Sequence, residues 1–152
     1  MTELLNTLQR WLITLPHCAT LGFEFVGVSH GKPTLKVNYR PDLVGNGSNG
    51  VVHGGVITSL VDTTSALSVF SHLDSAEAMA TLDLRIDYLK AATPGLAIYC
   101  TAECYKLTRQ IGFTRAVCHH GDASDPIAHS VATFMRGSSN AILGGDATGA
   151  PL

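Results

Sequence analysis

The 152-residue chain reads as α+β, one long helix set against a largely antiparallel sheet. Three observations predict this. An apolar run over residues 54–71 keeps helical spacing. A strand pair around a tight turn precedes it. Four strand-like segments follow one another after it.

The elements follow in order. Leu4, Leu5, Leu8, Trp11, Leu12 and Leu15 recur at helical spacing, so residues 2–15 predict a helix capped by Thr2 and ended by Pro16. Residues 22–39, "GFEFVGVSHGKPTLKVNY", predict a hairpin around Ser-His-Gly-Lys. "RPDLVGNGSNG" is dense in glycine and asparagine and predicts a loop. Val56, Ile57, Leu60, Val61, Leu67 and Phe70 then mark the long helix. Strands are predicted at 79–89, 95–107, 112–120 and 127–136, with Pro94-Gly95 and Gly121-Asp122 as punctuation. The organisation is a helical segment at 1–19, one domain at 20–136 and a flexible, small and polar tail at 137–152.

Composition narrows the function classes. Charged residues are 14% of the chain, against about 25% in ordinary domains. So little charge predicts surface buried against further copies of the chain. The net charge of −2 offers no basic field for nucleic acid. No apolar run reaches the length of a membrane span, which is about 18 residues or more. The N-terminus lacks the basic start and small-residue cleavage site of a signal peptide. Cys18, Cys100, Cys104 and Cys118 show no CxxC spacing and read as reduced thiols of a cytoplasmic chain.

The chemistry gathers in "NGVVHGGVITSLVDTTSALSVF", residues 49–70. A helix start carries free N–H groups and positive partial charge, and glycine lets a ligand approach the backbone. His53-Gly54-Gly55 before a helix can therefore polarise a carbonyl or hold an oxyanion. The plainer reading makes the glycines turn residues and His53 a hydrogen-bonded structural residue. Asp62 is the one acid of the run, in a helix whose other residues suit burial. A buried carboxylate is costly unless paired or hydrogen-bonded, and the plainer reading here is an exposed acid or an ion pair with Arg85.

Distance sets a condition on any joint role. Gly54 and Asp62 are eight residues apart, or about 12 Å along a helix. A reacting carbonyl needs its donor and its attacking group each within roughly 3 Å. One helix cannot easily supply both. Two antiparallel copies can, and a two-fold dimer then makes two sites at once.

"VVHGGVITSLVD" together with "TLDLRIDYLKAATPG" resembles the hotdog-fold acyl-CoA thioesterases, in particular the PaaI-like branch with its HGG motif. The likeness spans residues 20–136. It implies a long central helix wrapped by an antiparallel sheet. It also implies active sites at a dimer interface, with dimers pairing into tetramers. The substrate it implies is an acyl-CoA, with no cofactor and no metal. Asp62 then matches the general base or nucleophile, and the Gly54 N–H the group that polarises the thioester carbonyl. His53 shapes the site, and Thr81 orients the water or the carboxylate. Gly55 belongs to the same glycine pair. Lys90, Arg109 and Gly112 match positions that meet the pantetheine or the phosphates of CoA. For Lys90 and Arg109 an ordinary solvated charge is the alternative. Thr63, Ala66 and Leu67, with loop 41–52, line the acyl pocket.

One departure stands out. Many relatives of that branch carry Asn or Gln six residues before the motif histidine, where this chain has Gly47, flanked by Asn46 and Asn49. In the relatives that amide helps to orient the carboxylate or the water, and a small loop shift would let Asn46 or Asn49 restore it at the edge of the substrate site.

A thioester needs little else, since its carbonyl is electrophilic and a thiolate leaves readily. Cys118-His119-His120 invites a metal reading, but neighbours in a strand point to opposite faces. Two other functions compete on the same fold: hydration or dehydration of acyl thioesters, and acyl-CoA binding without catalysis. The spacing of His53 and Asp62 favours hydrolysis.

Overall fold

Pro16, expected to end a helix, opens one. Leu15 before it is extended (φ −57°, ψ 131°), as a residue preceding proline tends to be, and Pro16 takes the first helical position. The short helix α1 (Pro16–Leu21) ends at Gly22, whose φ of 72° is left-handed. The structure is a computed structural model that describes residues 10, 14–74 and 77–137. Most of the helix predicted over 2–15, and all of the predicted tail but Gly137, lie outside the described residues.

The hairpin forms as β1 (Phe23–Ser29) and β2 (Lys32–Val37). The predicted loop is more ordered than its composition suggests. It holds a 3-10 turn (Pro41–Leu43) and a two-strand ribbon, β3 (Val44–Asn46) with β4 (Val51–Val52). Side-chain carbonyls hold its turn: Asn46 accepts from the Ser48 N–H and hydroxyl, and Asn49 from the Val51 N–H. The long helix α2 (Gly54–Phe70) follows, then β5 (Met79–Tyr88), β6 (Ile98–Leu107), β7 (Ile111–His119) and β8 (Ala128–Arg136).

The six long strands make one antiparallel sheet in the order β1-β2-β6-β7-β8-β5. α2 packs across β6, β7 and β2. Alternation puts Ile98, Cys100, Ala102 and Cys104 of β6 beneath the helix. The side chains facing it are small at Ala102, Ala116 and Gly112, so the helix lies close. A Cβ on Gly112 would sit 2.8 and 2.9 Å from the two methyls of Val69. Val69 is fully buried and, being β-branched, has few rotamers to retreat into. Gly112→Ala is therefore expected to cost about 1–3 kcal/mol as overpacking, read as a lowered thermal midpoint against wild type.

α2 is not buried all round. Gly55, Thr58, Ser59, Asp62, Thr63 and Ala66 form one less buried stripe along it. Asp62 lies on that stripe, half-buried, rather than in the core. At the sheet's edge, β5 pairs only with β8 among the described residues, which leave its other edge free. Leu82 and Tyr88 of β5, and Leu89 just after it, are each more than half exposed. Among the described residues no helix is long and apolar enough to cross a membrane.

Candidate active site

His53 caps α2 from an extended conformation, φ −60° and ψ 134°. Its Nδ1 accepts from the Gly55 N–H at 2.8 Å, and its carbonyl accepts from the Val56 N–H at 2.9 Å. The β3–β4 ribbon holds it there, with the His53 N–H donating to the Leu43 carbonyl at 2.8 Å. Gly45 presses so close that a Cβ would meet the His53 Cα at 3.0 Å. With Gly55 taken by the imidazole, the Gly54 N–H is the free donor of this turn. A helix's first N–H has no intrahelical acceptor, and among the described residues none is found for it.

The Gly54 carbonyl is held from the other side. The Tyr88 hydroxyl donates to it at 2.9 Å and the Thr58 hydroxyl at 3.2 Å. Gly54, Tyr88 and Lys90 line a shared cleft of about 260 Å³ with Val51, Ile57 and Ala92. Lys90 Nζ lies 2.5 Å from Asp125 Oδ1, so its charge already has a partner.

Asp62 has a different neighbour. The Thr81 hydroxyl donates to its Oδ1 at 2.8 Å. A bulge in β5 makes this possible. Between Thr81 and Asp83 the register against β8 slips by one residue, at Leu82. Beyond the bulge Leu84 and Ile86 face the core, while Arg85 and Asp87 line a groove on the outer face. Strict alternation would have put Thr81 on that outer face with Arg85. The bulge turns it toward α2. Arg85 pairs with Asp87 at 3.0 Å, so the ion pair with Asp62 is not formed.

The remaining candidates separate along α2. Arg109 lies in the β6–β7 turn beside an open cleft with Thr108, Gln110 and Ile111. Gly112 lies beneath Val69, near the helix's C-terminal end. Lys90 and Gly54 are at the other end of these 17 residues, about 25 Å away along the helix. Thr63 Oγ1 meets Cys18 Sγ at 4.0 Å, and His17 Nε2 meets Ser59 Oγ at 3.1 Å, so α1 borders the Asp62 stripe. Burial pushes the Cys18 thiol up, and the nearby Asp62 adds to that. Ala66 packs toward Val69, Cys104 and Phe134. The side-chain carbonyls of Asn46 and Asn49 are spent in the ribbon turn, and a Cβ on Gly47 would meet nothing within 4 Å.

Cys118-His119-His120 diverges. Cys118 is buried beside Cys100, and the Cys100 hydrogen bond together with burial pushes its thiol up. His119 stacks on Tyr99 at 5.8 Å, its pKa drawn below the ordinary value by burial and only partly restored by Asp122. His120 Nε2 accepts from the Thr93 N–H at 2.9 Å, and its Nδ1 lies 2.8 Å from the Ala97 carbonyl. Tyr88, Thr58 and Asp125 were not foreseen from the sequence. The only sign of Tyr88 was its place in "IDYLK", where alternation puts it on the face of Leu84 and Ile86.

An antiparallel sheet packed around one long helix is the fold of the hotdog thioesterases. Residues 49–126 match the model of the thioesterase superfamily, about half of the chain. The chain belongs to that superfamily and is a thioester hydrolase. It is similar to the medium/long-chain acyl-CoA thioesterase YigI of Salmonella typhimurium, 30% identical over 142 residues that cover 85% of this chain and 90% of that one. Among solved structures it is similar to a Pseudomonas aeruginosa protein, 43% identical with a TM-score of 0.79, covering 88% of this chain and 98% of the other. The PaaI protein of the Escherichia coli phenylacetic acid degradation operon shares the fold at a TM-score of 0.75 and 20% identity, covering 88% and 94%.

Proposed function

We propose that the protein hydrolyses acyl-CoA thioesters as a two-fold dimer, with each site drawn from both chains. One observation carries this. The free Gly54 N–H and the Asp62 carboxylate lie on one helix, about 12 Å apart along its axis, too far to serve one carbonyl from the same chain. Antiparallel helices bring the Gly54 end of one chain beside Asp62 and Thr81 of its partner copy. The same arrangement gathers Lys90 of the first chain and Arg109 of the second at one mouth, although they sit at opposite ends of α2 within a protomer. The free edge of β5 supports pairing there, since an unpaired strand edge with exposed apolar side chains is a template for another strand.

In the reaction, the Gly54 N–H polarises the thioester carbonyl and holds the oxyanion. Asp62, oriented by Thr81, either deprotonates the attacking water or attacks the carbonyl itself, giving a mixed anhydride that water then hydrolyses to the free acid and the restored carboxylate. The C–S bond breaks and CoA leaves as its thiolate. Gly55 fixes His53 beside the carbonyl. Asn46, Asn49, Thr63, Ala66 and Gly112 border the acyl and pantetheine path. Medium and long acyl chains are the first substrates to test, given the activity in the name of the YigI relative.

Release of free thiol from a panel of acyl-CoAs tests this reading directly. Binding without thiol release would favour a non-catalytic module, and water added across an enoyl thioester would favour a hydratase. Light scattering should show a dimer or a larger assembly, and an active monomer at assay concentration would remove the shared site. Arg109→Ala is expected to raise KM more than it lowers kcat, because contacts to the CoA tail are largely uniform binding. An unchanged KM would take Arg109 out of the site.

A further inference from the structure

Tyr88 ends β5 with a side chain 51% exposed in the protomer, yet its hydroxyl is committed. It donates to the Gly54 carbonyl at 2.9 Å and lies 3.0 Å from the Thr58 hydroxyl. The absence of a side chain at Gly54 allows this approach: a Cβ there would lie 3.2 Å from the Tyr88 oxygen.

The Gly54 carbonyl and the Gly55 N–H belong to one peptide group. That N–H donates to His53 Nδ1 at 2.8 Å. A single peptide thus joins the Tyr88 hydroxyl to the imidazole. Hydrogen bonds in such a chain polarise one another, so a donor on the carbonyl makes the N–H a better donor in turn. A neutral imidazole that accepts at Nδ1 carries its proton on Nε2. The helix itself does not need the phenol, because the Gly54 carbonyl also accepts from the Thr58 hydroxyl at 3.2 Å and serves the intrahelical ladder.

We propose that Tyr88 is a positioning residue: through the Gly54–Gly55 peptide it fixes the start of α2, holding the Gly54 N–H in place and His53 as its Nε2–H tautomer. For catalysis this rests on the reading that the Gly54 N–H polarises the thioester. Tyr88→Phe in the full chain tests it. The expected result is a fall in kcat of about tenfold. KM should stay within about twofold, since substrate contacts are retained. The assembly and melting temperature should not change, and imidazole nitrogen NMR should show His53 shifting toward a mixture of tautomers. Two results would overturn the proposal: kcat and the His53 spectrum both as in wild type, or a kcat loss that tracks a fall in melting temperature with the His53 tautomer unchanged. The NMR measurement needs no turnover. A wild-type protein inactive on every acyl-CoA would defeat the functional reading, while the His53 spectrum would still decide the role of Tyr88.

Discussion

Asp62→Asn is expected to reduce acyl-CoA hydrolysis by at least about 10²-fold, the lower range for losing general-base catalysis. The substitution keeps the size of the side chain and removes its charge. The amide oxygen can still accept the Thr81 hydrogen bond that holds Oδ1 at 2.8 Å in the wild type. Asp62 sits on the less buried stripe of α2, so no core contact is lost and no charge is stranded. Fold and CoA binding should therefore survive, and the loss should fall on kcat. Near wild-type turnover in this variant would make Asp62 a structural acid only.

Gly54→Pro should be nearly as damaging, for a different reason. It deletes the N–H proposed as the oxyanion donor, and loss of one such donor costs about 10²–10³ in kcat. The local backbone is already suited to proline. Gly54 is the first residue of α2, where proline is favoured and the missing N–H had no helical partner. His53 before it is extended, as a residue preceding proline prefers. The Tyr88 hydroxyl, which a new Cβ would meet at 3.2 Å, must give way slightly. Gly54→Ala makes the same contact and keeps the N–H, so it is the matched control. Equal loss in both variants would assign the effect to crowding rather than to the donor.

The strands, the hairpin and α2 were legible because their apolar periods are regular and their turns carry glycine and proline. β5–β8 and α2 fall within a few residues of their expected limits. The loop over 40–50 was harder. Val44 and Val51-Val52 pair only because Asn46 and Asn49 fold the turn between them, a long-range match hidden in a glycine-rich run. Pro16, expected to end a helix, is the first residue of one. At the site, Asp62, Gly54 and His53 were readable because one helix start and one lone acid share a short segment. Thr81 was readable only by resemblance. Its direction depends on the bulge at Leu82, and the alternation of β5 alone would have pointed it to the outer face. Tyr88 keeps the alternation of Leu84 and Ile86 beyond the bulge; what the sequence did not show is that the strand ends beside the start of α2. The Arg85 ion pair, offered as a plainer reading of Asp62, does not form because Arg85 lies beyond the bulge, on the side of the sheet away from the helix.

The shared site is tested most directly by mixing the two disabled chains. Asp62→Asn and Gly54→Pro protomers are co-expressed, subunit exchange is verified, and thiol release is compared with each parent and with wild type. A mixed dimer has one site in which Gly54 comes from the first chain and Asp62 from the second, both intact, while its other site lacks both. Random pairing makes half of all dimers mixed, so recovery to about a quarter of wild-type activity is expected from a two-fold interface. Recovery no greater than the average of the two inactive parents, with folded and demonstrably mixed dimers, would contradict a site built across the two chains.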